Sequence, residues 1–286
     1  MNNGVFILNG RMSAIFLGLS LGLQFIFTLS WDLKHFAPQN APLGQVAVWR
    51  NRAFLSLPRY EAGIIKATLI EDVWPDTSYS QESHQQMNQE GYCSALQNVT
   101  ALDIDSMRGR KWGPRAYIGV RNSKILIVIE TRTWWPLRLD SKRLKSGILL
   151  DVVVETLALS RREPILYMTA SNSDLMFALN ISAVRAAPPP GRNVYRSMCV
   201  TFLGYKLGPS RGLVADLWSG LHYFLSRDHA AVRWDTRRPL YAESHSVLLQ
   251  SSKKLPAVSH MFLGPQWQVW AVVGQHCVRI QKYSFI

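Results

Sequence analysis

An all-β fold is what this sequence predicts, on three observations. Ten Trp, ten Tyr and eleven Phe are spread along 286 residues among short β-branched runs, the composition of half-buried pleated surfaces. Beyond residue 30 the apolar residues come in short runs bounded by Gly, Pro, Asn, Asp or basic pairs, and the repeating spacing of a helix face is scarce. A hydrophobic share of 48% is ample for a buried core in one large domain or two ordinary ones.

The N-terminus has a different character. Arg11 precedes an apolar stretch over 14–29 broken by Ser20, Gln24 and Thr28, and small or polar Thr28 and Ser30 suit a processing site. The reading is a signal peptide over 1–30, too short for a comfortable membrane span, followed by a single domain over 31–286. The mature chain is then extracellular, with no stable membrane insertion. An uncleaved signal anchor is the alternative. Secretion gives meaning to two N-glycosylation sequons, Asn98-Val99-Thr100 and Asn180-Ile181-Ser182. Cys93, Cys199 and Cys277 allow one bridge and one free thiol, or an intermolecular bridge. The net charge of +13 is carried by scattered groups such as Arg161-Arg162, Arg237-Arg238 and Lys253-Lys254, placed where turns belong. That distribution describes solvated loops and gives no reason to assign a nucleic-acid partner.

Taken in order, residues 31–42 are an extended lead-in, with Pro38 and Pro42 blocking helix. Val46-Ala47-Val48-Trp49 and Ala53-Phe54-Leu55-Ser56-Leu57, around Arg50-Asn51-Arg52, read as a hairpin. Its second strand ends at Pro58 or lies on an edge there, since proline has no N–H for a ladder. Residues 72–90 read as a long surface loop. A strand over 125–131 follows, then a surface crossing at 137–140 and an apolar run over 148–154. Residues 157–169 are a strand, an Arg161-Arg162-Glu163-Pro164 turn and a second strand; 173–180 is a third. Pro188-Pro189-Pro190-Gly191 is a rigid loop. Residues 212–235 hold three short strands joined by tight turns.

Trp49, then Phe54-Leu55-Ser56-Leu57-Pro58-Arg59-Tyr60, Gly63 and Ala67-Thr68-Leu69, resembles the opening signature of the yellow and major royal jelly protein family. Trp74-Pro75 ahead of Cys93 and Leu96-Gln97-Asn98-Val99 continues the likeness, as do the strands of 212–235, 254–259 and 268–273. The resemblance implies a secreted six-bladed β-propeller. It lapses twice. The second cysteine that would pair with Cys93 is absent, and after Glu155 a block worth about a blade is missing. The expectation is therefore a shortened β-propeller of about four or five blades, closed on fewer blades or left with an unpaired sheet edge.

No helix-borne nucleophile, Cys-x-x-Cys or His-x-x-x-His is in view, so no catalytic residue, metal ligand or cofactor is assigned. Asp216 reads as the cap of the Ser219-Gly220 turn, with a base or metal-ligand role as the sharper alternative. Propellers bind ligands where innermost strands converge, which makes Ser259 and His260 the candidate channel-facing polar groups. The resemblance implies a non-enzymatic binding protein for a small amine or catechol-type ligand, or a structural, pigmentation-related extracellular protein. A dopachrome-converting tautomerase and a degenerate or incomplete paralogue without ligand function are the alternatives.

Overall fold

In the computed structural model the chain is described over residues 30–32, 45–49, 52–61, 64–73, 86–87, 99–106, 115–120, 123–130, 133–141, 150–186, 196–264, 267–274 and 276–281. After β1 (Ser30–Asp32), a meander is formed by β2 (Gln45–Trp49), β3 (Arg52–Glu61), β4 (Ile64–Val73) and β5 (Gln86–Met87). The second comprises β6 (Val99–Asp105), β7 (Arg115–Val120), β8 (Ile125–Glu130) and β9 (Thr133–Ser141). The third has β10 (Thr156–Leu159), β11 (Ile165–Thr169), β12 (Leu175–Asn180), a single helical turn α1 (Ser182–Ala186) and β13 (Arg196–Tyr205). The fourth has β14 (Ser210–Ala215), β15 (Gly220–Leu225), β16 (Ala230–Asp235) and β17 (His245–Gln250). The last has β18 (His260–Leu263), β19 (Val269–Val273) and β20 (His276–Gln281), and β1 pairs antiparallel with β20 as its fourth strand.

Among the described residues these are five four-stranded units, and their first strands neighbour one another in the cyclic order β2, β6, β10, β14, β18 and back to β2. Such a ring of innermost strands makes the arrangement propeller-like. The fold is nearly all-β. One junction is unusual. The first half of β13 runs parallel to β9, from Arg196 opposite Leu137 to Val200 opposite Ser141, while its second half pairs antiparallel with β12. The second and third units are thereby joined into one eight-stranded sheet.

Strand alternation explains how neighbouring sheets share cores. Leu157 and Leu159 of β10 enter a core with Leu126, Val128, Trp135 and Leu137 of the second unit. Ala158, between them, enters the next core with Leu213, Leu221 and Tyr223 of the fourth unit. Val214 and Phe224 point the other way, into a core with Met261, Val269 and Ala271 of the last unit. The inner strands of the third and fourth units are buried on both faces, which is why they read as nearly continuous apolar runs.

Several expectations change. β3 continues through Pro58 to Glu61, so the strand does not stop at the proline. Among the described residues β2 pairs as far as Ser56, and Pro58 lies beyond it with β4 as its described neighbour, so no second described ladder needs its N–H. The loop expected over 72–90 contains the end of β4 and the short β5. Residues 137–140 belong to β9: Leu137 and Leu139 are fully buried and Arg138 and Asp140 are exposed, so this is an outer strand with one face in the core. The apolar run at 150–154 is not a strand, although Val152 and Val154 are buried in the core between the second and third units. Residues 254–259 precede the inner strand, which is β18.

Candidate ligand site in the central channel

The inner strands leave a cavity of about 20 Å³, the space of roughly one water, lined by Asp103, Leu157, Arg161, Leu213, His260 and Met261 among others. Four different units contribute to it. On β6 the alternation sets Ala101, Asp103 and Asp105 toward the third unit, and Asp103 meets the end of β10. Its Oδ2 accepts the Leu159 N–H at 2.7 Å; its Oδ1 accepts the Ile104 N–H at 2.7 Å and Arg161 Nη2 at 2.8 Å. Arg161 Nη1 donates to the Ile104 carbonyl at 3.1 Å. The Arg161 side chain stays 21% accessible against 11% for Asp103. The pair clasps β10 to β6 and leaves part of the guanidinium at the cavity.

His260, 4% exposed on β18, reaches the same cavity. Its strand lies tight against β14 because Gly212, at φ +63°, has no side chain: a Cβ there would sit 2.7 Å from the Met261 nitrogen and 3.1 Å from the His260 carbonyl carbon. Ser259 is exposed, outside the lining, and its Oγ donates to the Val272 carbonyl at 3.4 Å. Of the two candidate residues the structure brings His260 to the channel and leaves Ser259 at its neighbour strand. Arg161 and Asp103 were not selected by sequence. The available signal was position: Arg161 directly follows an inner strand, and Asp103 stands between Leu102 and Ile104 in mid-strand, where a solvated carboxylate is rare.

Asn180 is exposed at the end of β12, its Oδ1 accepting the Ser182 N–H at 2.9 Å at the start of α1. Asn98 and Cys93 lie outside the described residues, as does 1–29. Cys199 is an exposed thiol on β13, and Cys277 is a buried thiol on β20 whose pKa burial pushes up to about 12. No disulfide joins them.

Two further polar clusters are structural. Asp216, with its side chain fully buried, accepts the N–H groups of Trp218 and Gly220 at 2.7 Å each, His222 Nε2 at 3.0 Å and Arg233 Nε at 2.9 Å. Burial holds the His222 pKa below its usual value, only partly offset by the bond to Asp216, so the neutral ring donates through Nε2–H. The aspartate is the turn cap the sequence predicts. Gly220 is required, because a Cβ would collide with the Asp216 carboxylate and the Arg233 guanidinium. In the second cluster Lys206 Nζ donates to Ser210 Oγ at 2.7 Å and lies 5.9 Å from the Tyr223 ring centroid, while Tyr223 Oη bonds His245 Nε2 at 2.7 Å. A Ser-Lys pair with a lysine pKa lowered to about 8 has the chemistry of a nucleophile, but Ser210 is fully buried, so no substrate reaches it. Among the described residues no group of three His, Cys, Asp or Glu could hold a metal, and no helix is long and apolar enough to cross a membrane.

No protein-family model and no curated protein matches the chain. Among solved structures it is similar to a chain of a nidogen/laminin complex, at 12% identity and TM-score 0.47 over 80% of this chain and 71% of that one. It is also similar to luciferin-regenerating enzyme, at 12% identity and TM-score 0.44 over 86% and 79%.

Proposed function

We propose that this chain is a secreted, shortened propeller of the yellow and major royal jelly type, built on five blades, whose channel binds a small amine or catechol-type ligand without turning it over. The observation that carries the reading is the convergence of Asp103, Arg161 and His260 on one cavity between inner strands. Apolar walls with a few polar groups from separate elements are what orient a small ligand. The ordered sequence matches at 43–69, 93–99 and 212–273 support the family. Secretion rests on the apolar leader, and the exposed Asn180 is a sterically available glycan acceptor. Cleavage after Ser30 would start the mature chain inside β1, leaving Trp31 and Asp32 to pair with Cys277 and His276.

The test is thermal stabilisation by dopamine and serotonin, run beside a dopachrome turnover assay. Stabilisation without turnover supports binding. Turnover that disappears in His260→Ala would replace it with the tautomerase reading, and neither response would leave a structural role.

A further inference from the structure

We infer that β17 pairs with β17 of a second copy of this chain, antiparallel about a two-fold axis, and so makes a closed dimer through the rim of the fourth unit.

It follows from how the outer edges are protected. An open edge strand presents unpaired N–H and C=O groups, and sheets blunt such edges by covering them, keeping them short or placing charge on them. Among the described residues the three-residue β1 covers β20, β9 and β13 cover each other, and β5 is two residues long. β17 has none of these devices. It is six residues long, it pairs among those residues with β16 alone, and His245-Ser246-Val247-Leu248-Leu249-Gln250 contains no Lys, Arg, Asp or Glu.

The surroundings are apolar too. Of the six exposed large hydrophobic side chains among the described residues, four flank this strand: Tyr205, Leu207, Tyr241 and Val247, the last 61% accessible. Their neighbours bring them together. The Tyr223 hydroxyl bonds both the Leu207 N–H, at 3.4 Å, and His245 Nε2, at 2.7 Å. Gly204 lies against Leu240, where an added Cβ would meet that side chain at 3.6 Å, so Tyr205 and Tyr241 stand at one seam. A contiguous exposed apolar patch marks an interaction surface.

Charge says which partner fits. Glu243 is exposed just before β17, and Lys253 and Lys254 are exposed just after it. An antiparallel copy sets each end of the strand beside the opposite end of its partner, so acid meets base twice across the two-fold. The uncharged middle meets itself. Two chains of net charge +13 also repel least along a stretch that carries no charge. The bulge at Leu248, between the pairs Ala231–Leu249 and Val232–Val247, is common to both strands, so they twist alike. One such edge per chain means that pairing stops at two. β14, which lines the channel cavity, is at the other side of the same sheet, so the dimer leaves the channel as it is.

Sedimentation velocity of the whole chain from about 1 to 100 µM, in reductant so that exposed Cys199 forms no bridge, reads the mass. A dimer is expected. Val247→Lys sets like charges across the two-fold and should raise the dimer Kd at least about 10-fold. Circular dichroism and a melting curve check that this exposed substitution spares the fold. Glu243→Lys should weaken the dimer about 3- to 10-fold, and adding Lys253→Glu and Lys254→Glu should restore it. Restoration distinguishes an antiparallel pair from any other contact of this face. A monomer across that range overturns the inference, as does a dimer that neither Val247→Lys nor the charge reversal weakens. Growth beyond two chains overturns the closed pairing. Should Val247→Lys misfold, the charge exchange on exposed residues still decides.

Discussion

Lys206 offers the most quantitative test of the structure. It is 5% exposed at the junction of β13 and β14, and burial lowers its pKa from 10.5 to about 8, with the Asp174 carboxylate opposing only part of the effect. A folded-state pKa below the unfolded one means that, between about pH 8 and 10.5, the unfolded chain binds a proton the native chain has lost. Stability from this group therefore rises with pH across that window. Below pH 8 the charged form is buried in full. The shift corresponds to about 3 kcal/mol between the two ends of the window.

Lys206→Met removes the titration and keeps much of the volume. It also removes the contact with the Tyr223 ring and the hydrogen bond to Ser210, a pH-independent loss of about 1–2 kcal/mol. At pH 7 the variant is expected to be about 1–2 kcal/mol more stable than the parent, and at pH 10.5 less stable by a similar amount. Urea unfolding followed by Trp fluorescence at intervals from pH 7 to 10.5 measures both. The difference between the proteins is the quantity to read. The parent's own curve also contains Cys277, whose raised pKa erodes stability above about pH 9. Tyr117 and Tyr223, raised by burial, act in the same sense above pH 10. A difference that stays constant with pH would refute the claim that Lys206 is a desolvated cation.

Asp216→Asn should lower unfolding free energy by about 3–5 kcal/mol in urea, because His222 and Arg233 lose a buried carboxylate partner. Gly220→Ala, which drives a methyl into the same carboxylate, should destabilise by more than about 1 kcal/mol in the same assay. His222, with its pKa depressed, contributes stability present above about pH 6.5 and lost as pH falls below it; the acid limb of the unfolding curve should flatten in His222→Gln. In a Cys93→Ser background a thiol reagent should label one cysteine of the native chain, exposed Cys199, and reach Cys277 only on unfolding.

How much of this was legible depended on whether a residue's role is set locally. Residues 212–235 read correctly because turn chemistry is local: Asp216, Ser219 and Gly220 announce one reversal, and Ser226, Arg227, Asp228 and His229 the next. Asp216 was assigned as a cap for the same reason, since its partners Trp218 and Gly220 are within four residues. β9 was missed because Arg138 and Asp140 look like loop residues until the alternation with Trp135, Leu137 and Leu139 is followed across them. Arg161 was assigned to a solvated turn. Its partner Asp103 is 58 residues away, and nothing local says that this arginine folds back onto β6 while Arg162 stays exposed.

Among the described residues the joint between the second and third units departs most from the common pattern. Where neighbouring sheets splay apart toward the rim the space between them has to be filled, because protein interiors are close-packed. Here two elements occupy that gap. β13 leaves β12 and runs alongside β9, so the rim is bridged by backbone hydrogen bonds between units. α1 inserts Val184 into the shared core, and its carbonyl takes the Arg115 guanidinium. Arg115 is completely buried, 5.2 Å from the Trp135 ring, and Asp105 opposite it holds Arg185 at 2.6 Å. A buried arginine is tolerated only when paired and hydrogen-bonded, and this one has the helical turn to meet it. The two other seams whose side chains are described need no such filler: Ala158 and Leu213 close one, and Val214 and Met261 the other, by alternation alone. Among the described joints, two are thus closed by ordinary strand packing and one by β13 and α1.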